Sequence, residues 1–224
     1  MNDALLETFE IETAPNPTHA VIWLHGLGAD GHDFAPIVPE LKLGSAPAIR
    51  FVFPHAPIQP VTINGGMAMR SWYDIRNADL AQREDSEGIR KSEQAVHALI
   101  KRENERGIAT SNIVLAGFSQ GCAITLHTGL RFTEKLAGLI ALSGYLPLPE
   151  LAQAERNTTN QNTPILMAHG AQDPVVPLQR AQQSCALLQQ LGYAIDFKLY
   201  PMPHSVCLEE INDISAFLQQ AFKS

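Results

Sequence analysis

A serine between two glycines follows an apolar segment in the middle of the chain. The segment "NIVLA" (112–116) precedes "GFSQG" (117–121), and the next residues, "CAITLHTGLRF", are typical of a helix. In a strand, tight turn and helix of this kind, the serine hydroxyl stands clear of the sheet edge. The start of the helix also stabilises negative charge that develops beside the serine. The pattern therefore predicts that Ser119 is a nucleophile.

A serine nucleophile needs a base and an acid that orients the base. Asp173 follows the apolar segment "PILMAHG" (164–170), and His204 follows "AIDFKLY" (194–200). Each residue alone has a simpler interpretation, because Asp173 could begin a turn and His204 could cap the last helix. Together they come in the order serine, acid, histidine, each after a predicted strand. This order favours a catalytic triad of Ser119, Asp173 and His204.

Other polar residues fit these roles less well. Ser143 also ends a predicted strand but lacks the pair of flanking glycines, and Asp196 lies within a strand. His169 precedes the loop that carries the predicted acid. We expect Asp196 to face solvent and His169 to pack or to form a local hydrogen bond.

A glycine-rich loop near the N-terminus permits two interpretations. Gly26, Gly28 and Gly31 have the spacing G-x-G-x-x-G, which is typical of dinucleotide-binding sites. Such sites also use a carboxylate at the end of the next strand to bind the ribose. That strand, "IRFVFP" (49–54), is followed by His55 instead. A nucleotide-binding module is therefore the alternative hypothesis and not the favoured one.

The favoured interpretation is that the loop presents a backbone amide to an oxyanion. The amide of Leu27 and the amide of Gln120, next to the predicted nucleophile, would form the pair of donors. Three metal-ligand types, His25, His32 and Asp33, lie in the same region, but their spacing matches no standard metal site. We expect no metal and no other cofactor.

Apolar segments alternate with segments of helical period along the chain. The predicted strands are 19–24, 49–54, 112–118, 136–142, 164–170 and 194–200, and further predicted helices are 85–106, 177–191 and 206–222. Asp85 or Ser86 is the expected cap of the first of these helices and Ser205 that of the last. Strands that are apolar throughout are typical of a parallel sheet covered on both faces. The alternation predicts one α/β domain over residues 1–224, with a mostly parallel central sheet.

Two segments interrupt the alternation. Residues 57–80 and 146–164 are rich in proline, glycine and asparagine and are too long for simple turns. Long excursions on a rigid sheet often shape a functional site.

Composition narrows the classes of partner. The 224 residues carry 16 Lys and Arg against 23 Asp and Glu, a net charge of −7, so nucleic acid is not an expected partner. The N-terminal residues are acidic where a secretory signal is basic, and no apolar segment has the length of about 20 residues that spans a bilayer. We expect a cytoplasmic protein without an integral membrane segment. The three cysteines, Cys122, Cys185 and Cys207, are expected to be buried free thiols.

These motifs together resemble the phospholipase/carboxylesterase group, which comprises bacterial carboxylesterases and eukaryotic acyl-protein thioesterases. The resemblance covers nearly the whole chain. It rests on "WLHGLGADGHDF", "FPHAP", "PVTINGGMAMRSWYDI", "EDSEGIRKS", "GIATSNIVLAGFSQG", "LAGLIALSGYLP", "HGAQDPVVP" and "MPHSVCLEEINDI".

The resemblance implies an α/β-hydrolase fold with helices on both faces of the sheet and no large lid domain. It implies a serine hydrolase that uses the triad and the two amides described above and needs no cofactor. Its substrates would be carboxylic esters and acyl thioesters of short to medium chain length, extending to lysophospholipids or acylated proteins. Whether the chain is a monomer or a homodimer stays open.

The resemblance also implies an apolar groove for the acyl chain. The positions carried over are Ile63, Trp72, Ile75 and Val175, with Leu27 facing the same space. Ordinary packing beneath a long loop is the competing interpretation, and for Trp72 the two are equally favoured. Two positions depart from the usual pattern: Pro203 precedes the predicted base and Cys122 follows the serine turn, where relatives often have glycine.

Overall fold

The computed structural model describes residues 5–77 and 84–223. Its strands are β1 (Thr8–Glu12), β2 (His19–Leu24), β3 (Ile49–Pro54), β4 (Ile58–Val61), β5 (Met67–Arg70), β6 (Ile113–Phe118), β7 (Gly138–Leu142), β8 (Ile165–Gly170) and β9 (Ile195–Tyr200). Seven of them form one sheet in the order β1-β3-β2-β6-β7-β8-β9, and β4 and β5 form a separate hairpin. Within the sheet only β1 is antiparallel to its neighbour. The predicted mostly parallel sheet is confirmed.

Helices cover both faces of this sheet. They are α1 (Ser86–Glu105), α2 (Gln120–Arg131), α3 (Pro149–Glu155), α4 (Leu178–Gln190) and α5 (Leu208–Ala221), with 3-10 turns at Ala35–Glu40, Thr62–Asn64, Thr110–Asn112 and Thr158–Asn160. Alternate residues of β2 face opposite cores: Ile22 packs with α1 and α2, whereas Trp23 packs with α5. Because both faces are buried, the strands read as continuous apolar segments in the sequence.

The six predicted strands and three predicted helices are present with small differences at their ends. The prediction missed the edge strand β1, whose "TFEIE" alternates acidic and apolar residues. Glu12 of β1 accepts a hydrogen bond of 2.9 Å from Nε of Arg50 on β3. The edge strand is therefore joined to the sheet by charge pairs that the apolar pattern does not reveal.

The expected cap position of α1 is confirmed, and that of α5 is wrong. Asp85 is the N-cap residue of α1, but its side chain makes no capping bond; its carboxylate instead accepts from the Asp74 amide at 3.0 Å and from Arg76 at 2.8 Å. At α5 the cap position is Cys207 and not Ser205, and again no side-chain capping bond forms. Asp85 thus binds the excursion that begins at residue 57 to the start of α1.

The two excursions contain regular structure. The first holds the hairpin of β4 and β5, and its last residues, 78–80, lie outside the described part of the chain. The second holds α3 and the turn Thr158–Asn160. Since one sheet collects strands from residue 8 to residue 200, the arrangement is compatible with one domain, which stays a prediction. Among the described helices, none is both long and apolar enough to cross a membrane.

A close approach of α2 to β2 positions the turn at Ser119. A Cβ atom on Gly121 would lie 2.3 Å from the carbonyl oxygen of Leu24, which is backbone and cannot move aside. A Cβ atom on Gly129, in the same helix, would instead meet the side-chain end of Leu139 at 2.5 Å. Of these two glycines of α2, Gly121 is the one that main chain of the sheet requires.

We expect Gly121→Ala to lower the free energy of unfolding by about 3 kcal/mol, because backbone must shift to relieve the overlap. Gly129→Ala is the matched control in the same helix. There the helix preference of alanine, about 1 kcal/mol, offsets much of the cost of moving Leu139. Urea unfolding of both variants measures the difference, and equal losses would contradict the backbone explanation.

Candidate active site

Ser119 lies in the turn between β6 and α2 and is partly exposed. Its backbone has φ 56° and ψ −115°, a conformation that non-glycine residues rarely adopt. The amide of Ser119 donates to the carbonyl of Leu142 at 2.9 Å, which ties the turn to the end of β7. The sequence "GFSQG" therefore forms the predicted sharp turn with its serine at the carboxyl edge of the sheet.

Asp173 lies in the loop after β8, and its side chain is fully buried. One carboxylate oxygen, Oδ1, accepts from the amides of Val175 and Val176 at 2.8 and 2.9 Å. The other oxygen, Oδ2, lies 2.6 Å from Nδ1 of His204. A buried carboxylate needs such donors to remain charged.

His204 lies in the loop after β9, and its side chain is 16% exposed. Because Nδ1 donates to the carboxylate, Nε2 of the neutral ring carries the free lone pair that a general base needs. The ring packs on Phe118, the residue before the nucleophile, with a distance of 4.7 Å between ring centroids. The imidazole is thus held between the acid and the serine turn.

The link between Ser119 and His204 in the predicted triad is not closed. Among residues 5–77 and 84–223, Asp173 is hydrogen-bonded to His204, but the Ser119 hydroxyl has no hydrogen-bond partner. In unliganded hydrolases such contacts are often long and shorten when the substrate binds. The assignment of all three residues to one relay stays a prediction.

Two backbone amides beside Ser119 have free hydrogen-bonding capacity. A Cβ atom on Gly26 would lie 3.5 Å from Cβ of Ser119, so the glycine loop runs next to the nucleophile. Within the described residues, neither the Leu27 amide nor the Gln120 amide has an acceptor. Gln120 uses its side chain elsewhere: Oε1 accepts from the Trp72 amide at 2.8 Å and Nε2 donates to the Tyr73 carbonyl at 2.6 Å.

The nucleotide-binding alternative is not supported. A pyrophosphate site requires the glycine loop to open an α-helix, whose first amides bind the phosphates. Here the loop leads into the short 3-10 turn Ala35–Glu40. The spacing G-x-G-x-x-G is coincidental because no helix N-terminus follows it.

The predicted groove residues differ in exposure. Val175 and Ile63 are 59% and 43% exposed, and Leu27 and Ile75 are partly buried. The Ile63 amide donates to the Ile75 carbonyl at 2.8 Å, so these two positions are neighbours. Trp72 differs from the expectation: it is only 1% exposed and packs in the core, so it offers no open surface to an acyl chain.

The three potential metal ligands that lie close together in the structure differ from the three considered in the sequence. Ligand atoms of Asp30, His32 and His55 lie within 4.8 Å of one another. However, Nδ1 of His55 accepts from the Gly31 amide at 3.1 Å, so the proton of the neutral ring is on Nε2. His55 then has no free lone pair, and this hydrogen bond argues against metal binding.

Two buried histidines near the site went unrecognised as functional positions. Nε2 of His169 lies 2.9 Å from the Val176 carbonyl and 3.5 Å from Oδ2 of Asp173, which places the ring behind the acid loop. His25 lies in the glycine loop, and burial lowers its pKa to about 4. The local hydrogen bond expected for His169 is confirmed. His25 was missed because its Nε2 accepts from the Ala56 amide 31 residues away, and sequence spacing carries no signal of such a contact.

The three cysteines are free, and Cys122 and Cys185 are buried as expected. Cys207 is only partly buried, which corrects the expectation for that residue. Burial raises the pKa of the Cys122 thiol well above its usual range. Cys122 is therefore an unreactive side chain beneath the nucleophile.

Comparison with known proteins gives a consistent result over the whole chain. Residues 6–222 match the phospholipase/carboxylesterase family model. An acyl-protein thioesterase 1 from Gibberella zeae is 39% identical, with 98% of this chain and 97% of the relative covered. An acyl-protein thioesterase 1 from Neurospora crassa is 44% identical, with 91% and 86% covered.

Solved structures show the same similarity. SOBER1 from Arabidopsis thaliana superposes with a TM-score of 0.84 at 31% identity, covering 91% of this chain and 98% of that one. Acyl-protein thioesterase 2 from Zea mays gives 0.81 at 28% identity, covering 96% and 99%. The fold is therefore the α/β-hydrolase fold, and the described residues include no large lid. With the family model matched from residue 6 to residue 222, this chain belongs to the phospholipase/carboxylesterase family of hydrolases.

Proposed function

We propose that this hydrolase cleaves esters and thioesters through an acyl-enzyme on Ser119. The observation that carries the proposal is the 2.6 Å contact between Asp173 and His204 at the sheet edge where the Ser119 turn lies. The contact orients the imidazole so that Nε2 can accept the serine proton. No other described serine combines a strained turn at the start of a helix with such a pair.

The reaction has two halves. Ser119 Oγ attacks the acyl carbonyl while His204 takes its proton, and His204 then protonates the departing alcohol or thiol. Water enters, gives a proton to His204 and attacks the acyl-enzyme, and the proton returns to Ser119 as the acid leaves. Asp173 stays charged throughout and stabilises the imidazolium formed in each half. The backbone N–H groups of Leu27 and Gln120 donate hydrogen bonds to the oxyanion. Each bond stabilises the transition state by roughly 3 kcal/mol.

The exposed apolar residues support a site for the acyl chain. Ile63 and Val175 lie on the excursion and on the acid loop, and Ile75 and Leu27 complete the set. An apolar chain gains about 0.8 kcal/mol for each methylene group that such residues bury. We propose substrates of short to medium acyl chain. The similar proteins named acyl-protein thioesterases favour acylated proteins, and lysophospholipids are the second class to be tested.

The cytoplasm is the proposed compartment. Three cysteines without a disulfide are typical of proteins in a reducing environment. A monomer and a homodimer both stay predictions for the oligomeric state.

Replacing the nucleophile tests the central assignment. Ser119→Ala should remove turnover of p-nitrophenyl butyrate and labelling by a fluorophosphonate, because both require the hydroxyl. Ser143→Ala is the matched control, since Ser143 also ends a strand with a positive φ of 47°. The control variant should still be labelled, and peptide mapping should locate the label on Ser119. A label on Ser143 would refute the assignment.

A histidine general base must be neutral to accept a proton, so kcat/KM should fall as the pH is lowered from 8 to 5. His25 cannot produce this limb, because burial lowers its pKa to about 4 and it stays neutral. Profiles from pH 5 to 8 for the unchanged chain and for His32→Gln should coincide, since His32 lies outside the triad. A flat profile would exclude histidine as the base.

Chain-length dependence tests the groove. Val175→Ser and Ile63→Ser should each lower kcat/KM for an octanoyl ester by about threefold to tenfold and leave an acetyl ester nearly unchanged. Leu199→Ser is the matched control: Leu199 is 46% exposed, close to the 43% of Ile63, but lies on β9. β9 is three strands away from β6, the strand that leads to Ser119, and the two strands are about 14 Å apart. If Leu199→Ser lowers kcat/KM for the octanoyl ester by the same factor, Val175 and Ile63 do not line an acyl groove.

A further inference from the structure

Trp72 connects the two segments that carry the proposed oxyanion donors. Its indole Nε1 donates to the His25 carbonyl at 2.8 Å, in the glycine loop. Its backbone amide donates to Oε1 of Gln120 at 2.8 Å, in the turn after the nucleophile. Its carbonyl accepts from the Ser92 hydroxyl of α1. Every polar group of this buried residue is therefore used, and two of the bonds lead to the oxyanion segments.

The imidazole of His25 makes a second fixed contact in the same place. Nε2 accepts from the Ala56 amide at 3.1 Å, so the proton of the neutral ring is on Nδ1. Nδ1 lies 2.7 Å from the Gly26 carbonyl oxygen and donates to it. Because burial lowers the pKa of His25 to about 4, this neutral tautomer persists at neutral pH.

These contacts decide the direction of the Leu27 amide. The Gly26 carbonyl and the Leu27 N–H belong to one planar trans peptide, so the two groups point in opposite directions. A donor that holds the carbonyl therefore fixes the N–H as well and polarises it. On the other side, the Gly28 amide donates to the Arg70 carbonyl at 2.9 Å. Leu27 thus lies between two held peptides, and its own amide has no acceptor among the described residues.

We propose that Trp72 and His25 are positioning residues, an oxyanion brace that sets the Leu27 amide against the Gln120 amide. The brace acts on the rate of the chemical step and not on the binding of the acyl chain. The inference rests on the proposed function, since the brace matters only if the two amides bind an oxyanion. It also assigns Trp72 a role other than the groove contact that the family resemblance implies.

The two tryptophans of the chain provide a matched pair of variants. Trp23 and Trp72 are each 1% exposed. Nε1 of Trp23 is buried and has no hydrogen-bond partner among the described residues, whereas Nε1 of Trp72 donates to the His25 carbonyl. Trp72→Phe and Trp23→Phe remove similar volume, and only the first removes a bond to the glycine loop. The comparison therefore separates the hydrogen bond from the loss of packing.

We expect Trp72→Phe to lower kcat for p-nitrophenyl butyrate by about tenfold to a hundredfold, with KM within twofold, because the oxyanion forms only in the transition state. The inhibition constant of a butyl trifluoromethyl ketone, whose adduct carries an oxyanion, should rise by the same factor as kcat/KM falls. Trp23→Phe should leave both constants within about threefold. Active sites are counted by fluorophosphonate titration, so that partial unfolding does not lower the apparent kcat.

A pair of variants at His25 tests the brace independently if Trp72→Phe folds poorly. His25→Asn keeps an N–H near the position of Nδ1, whereas His25→Leu keeps bulk without a donor. Asparagine should retain at least tenfold more kcat than leucine, again with little change in KM. Equal values of kcat for these two variants would refute the role of His25.

Three results would overturn the brace. An equal loss of kcat in Trp72→Phe and Trp23→Phe would show a packing effect, and unchanged kcat in both would show no effect on the chemistry. A rise of KM without a fall of kcat in Trp72→Phe would show that Trp72 contributes to binding of the acyl chain and not to the brace. Failure of the proposed function is distinguishable, because the unchanged chain would then lack fluorophosphonate labelling on Ser119.

Discussion

The hydrogen bond between Asp173 and His204 depends on a parallel sheet whose strands end at a common edge. The acid follows β8 and the base follows β9, and the two residues are 31 positions apart in the chain. Parallel neighbours deliver both loops to the same side, next to the turn that follows β6. The acid side chain is then held by main chain, since the Val175 and Val176 amides donate to Oδ1 and leave Oδ2 for the imidazole. The contact between the acid and the base therefore requires the sheet that these apolar strands form.

The surroundings of the site are built from neutral buried groups. His25 and His169 are buried, and burial lowers the pKa of each ring. Both rings contact backbone carbonyls, at Gly26 and at Val176, and so fix the loops that carry an oxyanion donor and the acid. A charged lysine or arginine in either place would put a cation close to the Asp173 carboxylate or to the oxyanion donors. Neutral histidines provide hydrogen bonds without competing for those charges.

Local patterns predicted a large part of this arrangement. Ser119, Asp173 and His204 follow apolar strands, and a strand end is a feature that a sequence displays directly. Trp72 illustrates what local patterns miss, because its partner Gln120 is 48 residues away and its partner His25 is 47. The family resemblance offered a groove contact and packing as equally favoured interpretations, and neither anticipated the three hydrogen bonds that the buried residue makes. The missed strand β1 has a similar cause, since its ion pairs with Arg50 form only after folding.

The excursion with β4 and β5 has one end that carries a proposed groove residue and another that contacts the segments of the proposed oxyanion donors. Ile63 lies near its tip, whereas Arg70 and Trp72, at its base, bind Gly28 and His25. Under the proposed function, acyl selectivity and catalytic rate therefore depend on adjoining parts of one loop. Directed evolution of a new acyl preference can exchange the tip, residues 62–66, and must conserve the base, residues 70–73. A wholesale graft of this loop from a relative would alter both properties at once.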